Sequence, residues 1–133
     1  MNAYAVQAMN ELGITSYVKA GTYAPDPAGI TGLGNCSGAD RYFTSSKVAI
    51  WAKASAGLTY IHTALTTGDK FPDALAAGPY LAADNGMLLL SPLNGPLPVP
   101  IAALITANRA EVAQVSYIAC IEPVISQLKA LLP

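Results

Sequence analysis

The chain has 133 residues, the size of one domain; 53% are hydrophobic and only 11% charged, against ~25% charged in ordinary soluble domains. The formal net charge is −1 and the seven basic residues are scattered from Lys19 to Lys129, which excludes the concentrated basic stripe that nucleic acid requires. The most apolar run, Met87–Leu90, is far shorter than the ~20 residues of a membrane span, so no membrane insertion is expected. Met1 leads into a helix-like segment without a basic leader, so no signal peptide is expected in this stretch either. A surface so poor in charge is expected to hide part of itself against another copy or module.

In chain order, "NAYAVQAMNELG" (2–13) reads as a helix and "ITSYV" (14–18) as a strand. "AGTYAPDPAGITGLGNCSG" (20–38) reads as a loop rich in Gly and Pro. "SSKVAIWAKASAG" (45–57) is a helix pattern, with Thr44 as its N-cap and Gly57 as its stop. "LTYIHTALTTG" is rich in β-branched and aromatic residues and predicts a strand ending near Leu65. The next helix, "PDALAAGPYLAAD", has Pro72 in its first turn and Asp73 near its positive end. Gly78-Pro79 should weaken or kink it, and Asn85-Gly86 stops it. "MLLLS" (87–91) has the character of a strand buried on both faces, and "NGPLPVP" (94–100) that of a loop. "PIAALITANRA" is a helix opened by proline, "VAQVSYIAC" a strand and "EPVISQLKALL" a final amphipathic helix. Strand and helix in alternation imply right-handed βαβ units. The expected fold is three-layer α/β, a mostly parallel sheet flanked by helices in the Rossmann/flavodoxin-like manner.

"ITSYVKAG" (Ile14–Gly21) is echoed by "QVSYIACI" (Gln114–Ile121): Ser-Tyr followed by an aliphatic residue, each behind a helix pattern. Either Asn2–Gly21 repeats the helix–strand pair of Ile101–Ile121, or two buried strands share a common need.

In a parallel sheet, ligands bind at the edge where strands end and helix N-termini begin. That edge collects Thr66, Thr67, Gly68, Asp69 and Asp73 after one strand, Ser91 after the next, and Ala119 and Cys120 after the last. Asp40, Arg41 and Thr44 lead into the first core helix beside it. Asp69 and Asp73 are the right residues to cap a helix start, and Arg41 to pair with one of them inside the fold. His62, placed mid-strand, leaves a Ser-His-Asp arrangement without a base and reads as structural. The two cysteines, Cys36 and Cys120, form either one disulfide or two small buried residues. With the single histidine they lack metal-ligand spacing, so neither metal nor cofactor is expected.

Three segments in order, "GADRYFTSSKVAIWA", "TTGDKFPDALAAGPYLAADNGMLLLSP" and "VAQVSYIACIEPVISQL", resemble the cell wall binding repeat 2 family of clostridial and other bacterial surface proteins. Gly38, Asp40, Arg41, Tyr42 and Thr44 match its G-x-D-R-Y-x-T motif. Gly68, Asp69 and Phe71–Ala77 match G-D-x-F-P-D-A-L-A-A, and Ser91 ends the apolar strand. The chain departs from the family at Ala119-Cys120-Ile121, where the family has a glycine pair. The resemblance divides the chain into a module over 38–133 and a segment over 1–37, packed on the core, that is similar to the end of a preceding module, with Ala20-Gly21 near the Gly-Gly position. It implies a non-catalytic, extracellular wall-anchoring module without cofactor, binding an anionic secondary wall polymer and packing with like modules or as a homotrimer. The candidate ligand set is Asp40, Arg41, Thr44, Thr67, Gly68, Asp69, Asp73 and Ser91. The alternatives are a structural module for trimer assembly and a small nucleotide- or sugar-binding α/β domain.

Overall fold

The computed structural model describes residues 3–21, 26–120 and 122–133; Asn2, Thr22–Pro25 and Ile121, which enter the sequence reading, lie outside the described residues. The elements run α1 (Ala3–Glu11), β1 (Ser16–Lys19), β2 (Thr31–Asn35), α2 (Arg41–Ser55), β3 (His62–Thr67), α3 (Phe71–Ala82), β4 (Met87–Ser91), α4 (Val99–Asn108), β5 (Gln114–Ile118) and α5 (Glu122–Lys129).

A three-stranded parallel sheet in the order β4-β3-β5 forms the centre, with Leu65 level with Leu89 on one side and Tyr117 on the other. β3 is buried along its whole length, as its run of apolar and β-branched residues requires. Leu65, Met87 and Leu89 join Ala49 and Ala52 of α2, Ile101, Leu104 and Ile105 of α4, and Val124 and Leu128 of α5 in one core. Each fully buried aliphatic side chain there contributes about 1.5–3 kcal/mol. α3 covers the other face, where Ala77 and Leu81 are buried and Tyr80 meets His62 edge to face at 5.2 Å. The molecule is three-layer α/β, with parallel sheets flanked by helices. Because β4 and β5 lie on opposite sides of β3, right-handed crossovers place α3 and α4 on opposite faces.

Several expectations need correction. α2 begins at Arg41, four residues before the helix pattern read from Ser45, and its N-cap is Asp40, not Thr44. The Asp40 carboxylate accepts from the Tyr42 and Phe43 N–H groups at 2.8 Å each, a role Asp fills well. The 20–38 stretch read as a loop contains β2, which pairs in parallel with β1 as a separate two-stranded sheet. Its glycines hide the strand from a propensity reading. His62 opens β3 rather than sitting mid-strand, and β3 continues to Thr67, past the predicted end near Leu65. α3 runs unbroken through Gly78-Pro79. Cys36 and Cys120 are both free thiols.

Candidate functional site at the carboxyl edge of the sheet

Asp40 orients the first turn of α2 by satisfying two of its free amides. Arg41 therefore projects from a fixed helix start toward the turn after β3. Its Nη1 donates to the Gly68 carbonyl and lies 3.8 Å from Asp69 Oδ1. Gly68 permits this approach: a Cβ there would lie 3.0 Å from Arg41 Cδ and 3.1 Å from Tyr42 Cε1. The Gly68 N–H in turn donates to the Ser91 carbonyl at 2.7 Å, tying the β3 turn to the end of β4.

Asp69 organises the turn. Its N–H donates to Thr67 Oγ1 at 3.1 Å, and its Oδ2 accepts from the Leu93 N–H at 2.7 Å. Tyr42 Oη donates weakly to Oδ1 at 3.4 Å. Burial, then the Asp69 charge, holds the Tyr42 hydroxyl above its ordinary pKa, so it stays a donor. Asp69 is not a helix cap: the N-cap of α3 is Lys70, which makes no side-chain cap bond.

The structure thus brings Arg41, Thr67, Gly68 and Asp69 together. The Asp40 carboxylate serves α2, and the Thr44 hydroxyl accepts from the Gly38 N–H at 3.0 Å. Thr67 is 2% and Ser91 0% exposed, so both build the edge from within. Asp73, in the first turn of α3, makes no side-chain hydrogen bond or ion pair among the described residues. The Arg41–Asp69 pair is open to solvent, with side chains 56% and 43% exposed, where such a pair contributes little stability. Arg41 Nε and Nη2 have no partner among the described residues. A mostly apolar groove of about 610 Å³ opens beside the guanidinium, lined by Gly38, Thr44, Val48, Ala74, Leu88 and Leu90 among others.

Sequence reasoning missed Tyr42 and Leu93 as members of this loop network. Tyr42 stands inside the D-R-Y motif, which was its available signal; Leu93 acts through its backbone and left none. At the end of β5, Ala119 has φ +53°, in the left-handed region that glycine occupies most readily. Cys120 Sγ donates to the Leu65 carbonyl at 3.1 Å, and burial pushes its thiol above the ordinary pKa.

The family model of cell wall binding domain 2 (CWB2) matches residues 36–127. The chain belongs to the CWB2 family. Comparison with curated proteins and with solved structures finds no match. As a CWB2 domain the chain is a cell wall binding module, which implies a location at the cell surface. Within this CWB2 domain, no helix of the described residues is long and apolar enough to cross a membrane, and no group of His, Cys, Asp and Glu among them could hold a metal ion.

A second polar cluster lies at the opposite end of the CWB2 sheet. His62 Nδ1 is 2.8 Å from Asp84 Oδ2, and Nε2 is 2.9 Å from Ser116 Oγ. The sequence reading gave His62 no such partners. The three residues lie far apart in the chain and meet only because α3 folds back over β3 and β5. The spacing is that of a serine–histidine–aspartate relay. Its surroundings are those of a staple: His62 is 3% exposed, and Ser116 Oγ is shared with Tyr80 Oη at 3.3 Å. Gln114 Nε2 crowds the same imidazole nitrogen at 3.3 Å. The cluster satisfies a buried imidazole and pins the end of α3 to the sheet.

Proposed function

We propose that this module anchors a bacterial surface protein in the extracellular wall, without catalysis, by binding an anionic secondary wall polymer at the carboxyl edge of the sheet. It works alongside like modules or as a homotrimer. The observation that carries this reading is Arg41: one nitrogen is held by the Gly68 carbonyl and Asp69, while Nε and Nη2 stand without partners among the described residues, beside the 610 Å³ groove. A fixed guanidinium with free N–H donors suits a phosphate or carboxylate group, since charge-assisted hydrogen bonds are about twice as strong as neutral ones. The neighbouring acids oppose an anion less than their number implies. Asp40 accepts from two amides of α2 and Asp69 from Leu93 and Tyr42 beside Arg41, so both carboxylates are already engaged, while Asp73 has no side-chain partner among the described residues.

The test is sedimentation of Arg41→Ala with purified wall, before and after its polymer is stripped. The expected outcome is at least a tenfold loss of polymer-dependent binding, the scale of one charged hydrogen bond of about 1.5–3 kcal/mol. The melting temperature should change little, because the ion pair is exposed. Arg41 also braces the Gly68 turn, which favours the alternative of a purely structural module. On that alternative, the same substitution lowers stability or alters oligomeric state while wall binding persists.

A further inference from the structure

We propose that the outer edge of β5 is a strand-addition site that takes β2, Thr31–Asn35, from a second copy of this chain. The two edges of the main sheet differ by one hydrogen bond. On β4 the outward N–H of Leu90 is satisfied by Ser45 Oγ of α2 at 3.1 Å. β5 ends the sheet on the other side, and no side chain or loop among the described residues bonds to its outer backbone. Its sequence, Gln-Val-Ser-Tyr-Ile, carries no charge and no proline, the devices that keep open edges from pairing.

The identity of the added strand is written into the first part of the chain. Positions 100 apart correspond: Glu11 with Glu111, Ser16 with Ser116, Tyr17 with Tyr117, and aliphatic Val18 with Ile118. In both places a helix precedes a strand, α1–β1 and α4–β5. The carbonyls of Thr15 and Lys19 accept from the Thr31 and Cys36 N–H groups at 3.1 and 2.7 Å, so residues 15, 17 and 19 present their backbone to β2. In β5 the Gln114 N–H points inward to the Ile61 carbonyl at 2.9 Å. Alternation then turns Val115 and Tyr117 outward. The positions that hold β2 on β1 are therefore the ones left open on β5.

The fit is specific as well. Gly32 of β2 stands level with Tyr17, where a Cβ would lie 3.0 Å from Tyr17 Oη. Tyr117 repeats that tyrosine on β5, so the same glycine-bearing strand matches it. The sheet β1–β2 is separate and has only two strands, an arrangement of marginal stability by itself. Exchange of β2 onto β5 of another copy replaces one parallel pairing by another within a larger sheet, as in domain swapping. In the register of β1, Ser116 meets Thr31 and Ala119 meets Asn35 of the second copy. The proposal rests on the sheet geometry and not on wall binding, so loss of polymer binding in Arg41→Ala leaves it standing.

Two measurements test it. In a Cys36→Ser, Cys120→Ser background, Asn35→Cys with Ala119→Cys is treated with a short bismaleimide. It should give covalent species of dimer mass or above that increase with protein concentration. The control Asn35→Cys with Lys19→Cys should link within one chain, and less so as concentration rises. Products confined to monomer mass at every concentration, while the control links, would overturn the proposal. On the unaltered chain, hydrogen exchange at the Val115 and Tyr117 amides should slow at least tenfold between dilute and concentrated protein. Equal exchange at both concentrations would equally overturn it.

Discussion

A Cβ added at Gly38 would lie 2.4 Å from Phe43 Cβ and 2.6 Å from the Thr44 backbone nitrogen, well inside contact distance. The chain must pass this close to α2 for the Gly38 N–H to reach Thr44 Oγ1 and for Asp40 to sit at the N-cap. Gly38→Ala should therefore cost about 1–3 kcal/mol, the range of overpacking, seen as a lower melting temperature than that of wild type. A melt within experimental error of wild type would mean that this approach is not tight in solution. The motif G-x-D-R-Y-x-T is legible in sequence, but the work of its residues is not. Gly38 supplies space, Asp40 caps, Thr44 accepts a turn N–H, and of the motif's charged side chains only Arg41 is left facing solvent with spare donors.

At the scale of elements, α2 is the piece that assembles the edge. Its first turn carries Arg41 and Tyr42 to the Gly68–Asp69 turn, and Ser45, one turn on, accepts from the outward Leu90 N–H of β4. Asp40→Ala removes both capping hydrogen bonds and should cost about 1 kcal/mol. Because it also loosens the base of Arg41, wall binding should weaken alongside stability. Asp40→Asn, which keeps the accepting oxygen, should restore most of both; failure of that rescue would show that the carboxylate charge matters beyond the cap. The helix pattern from Ser45 was readable because apolar residues recur at helical spacing. Its first turn was not, because Tyr42, Phe43 and Thr44 have weak helix preference and are held in the helix by the Asp40 cap rather than by propensity. β2 escaped for the opposite reason, since Thr-Gly-Leu-Gly-Asn has weak strand preference and pairs only because β1 lies alongside.

Across the whole molecule, the amino end of the sheet is closed by Glu111. It pairs with Lys53 of α2 and accepts from the Tyr60 N–H at 2.9 Å just before β3, joining α2, the approach to β3 and the connection into β5. The Lys53 partner, then the Tyr60 amide, holds the Glu111 carboxyl below its ordinary pKa. A depressed carboxylate contributes stability in full above its unfolded pKa and loses it as pH falls through the folded value. Melting temperature should therefore fall as pH drops below the ordinary glutamate range. Glu111→Gln should melt lower at neutral pH, with its deficit closing toward acid. A deficit constant across that range would remove Glu111 from the acid limb. Burial beneath this clasp, with Glu111 adding to it, lifts the Tyr60 hydroxyl to about 12, so it stays neutral throughout.

The sequence by itself determined the layer architecture, the strand MLLLS, a strand within VAQVSYIAC and the family, because hydrophobic period and motif spacing are local properties of the chain. Tertiary structure alone decided which motif residues face outward: Ser91 and Thr67 are buried, while Arg41 and Asp69 reach solvent. It alone brought His62, Asp84 and Ser116 into one cluster. It also gave the outer Leu90 N–H of β4 a partner in Ser45 while leaving the outer backbone of β5 without one among the described residues. Each of these outcomes depends on which distant segments pack together, and spacing along the chain carries no record of that.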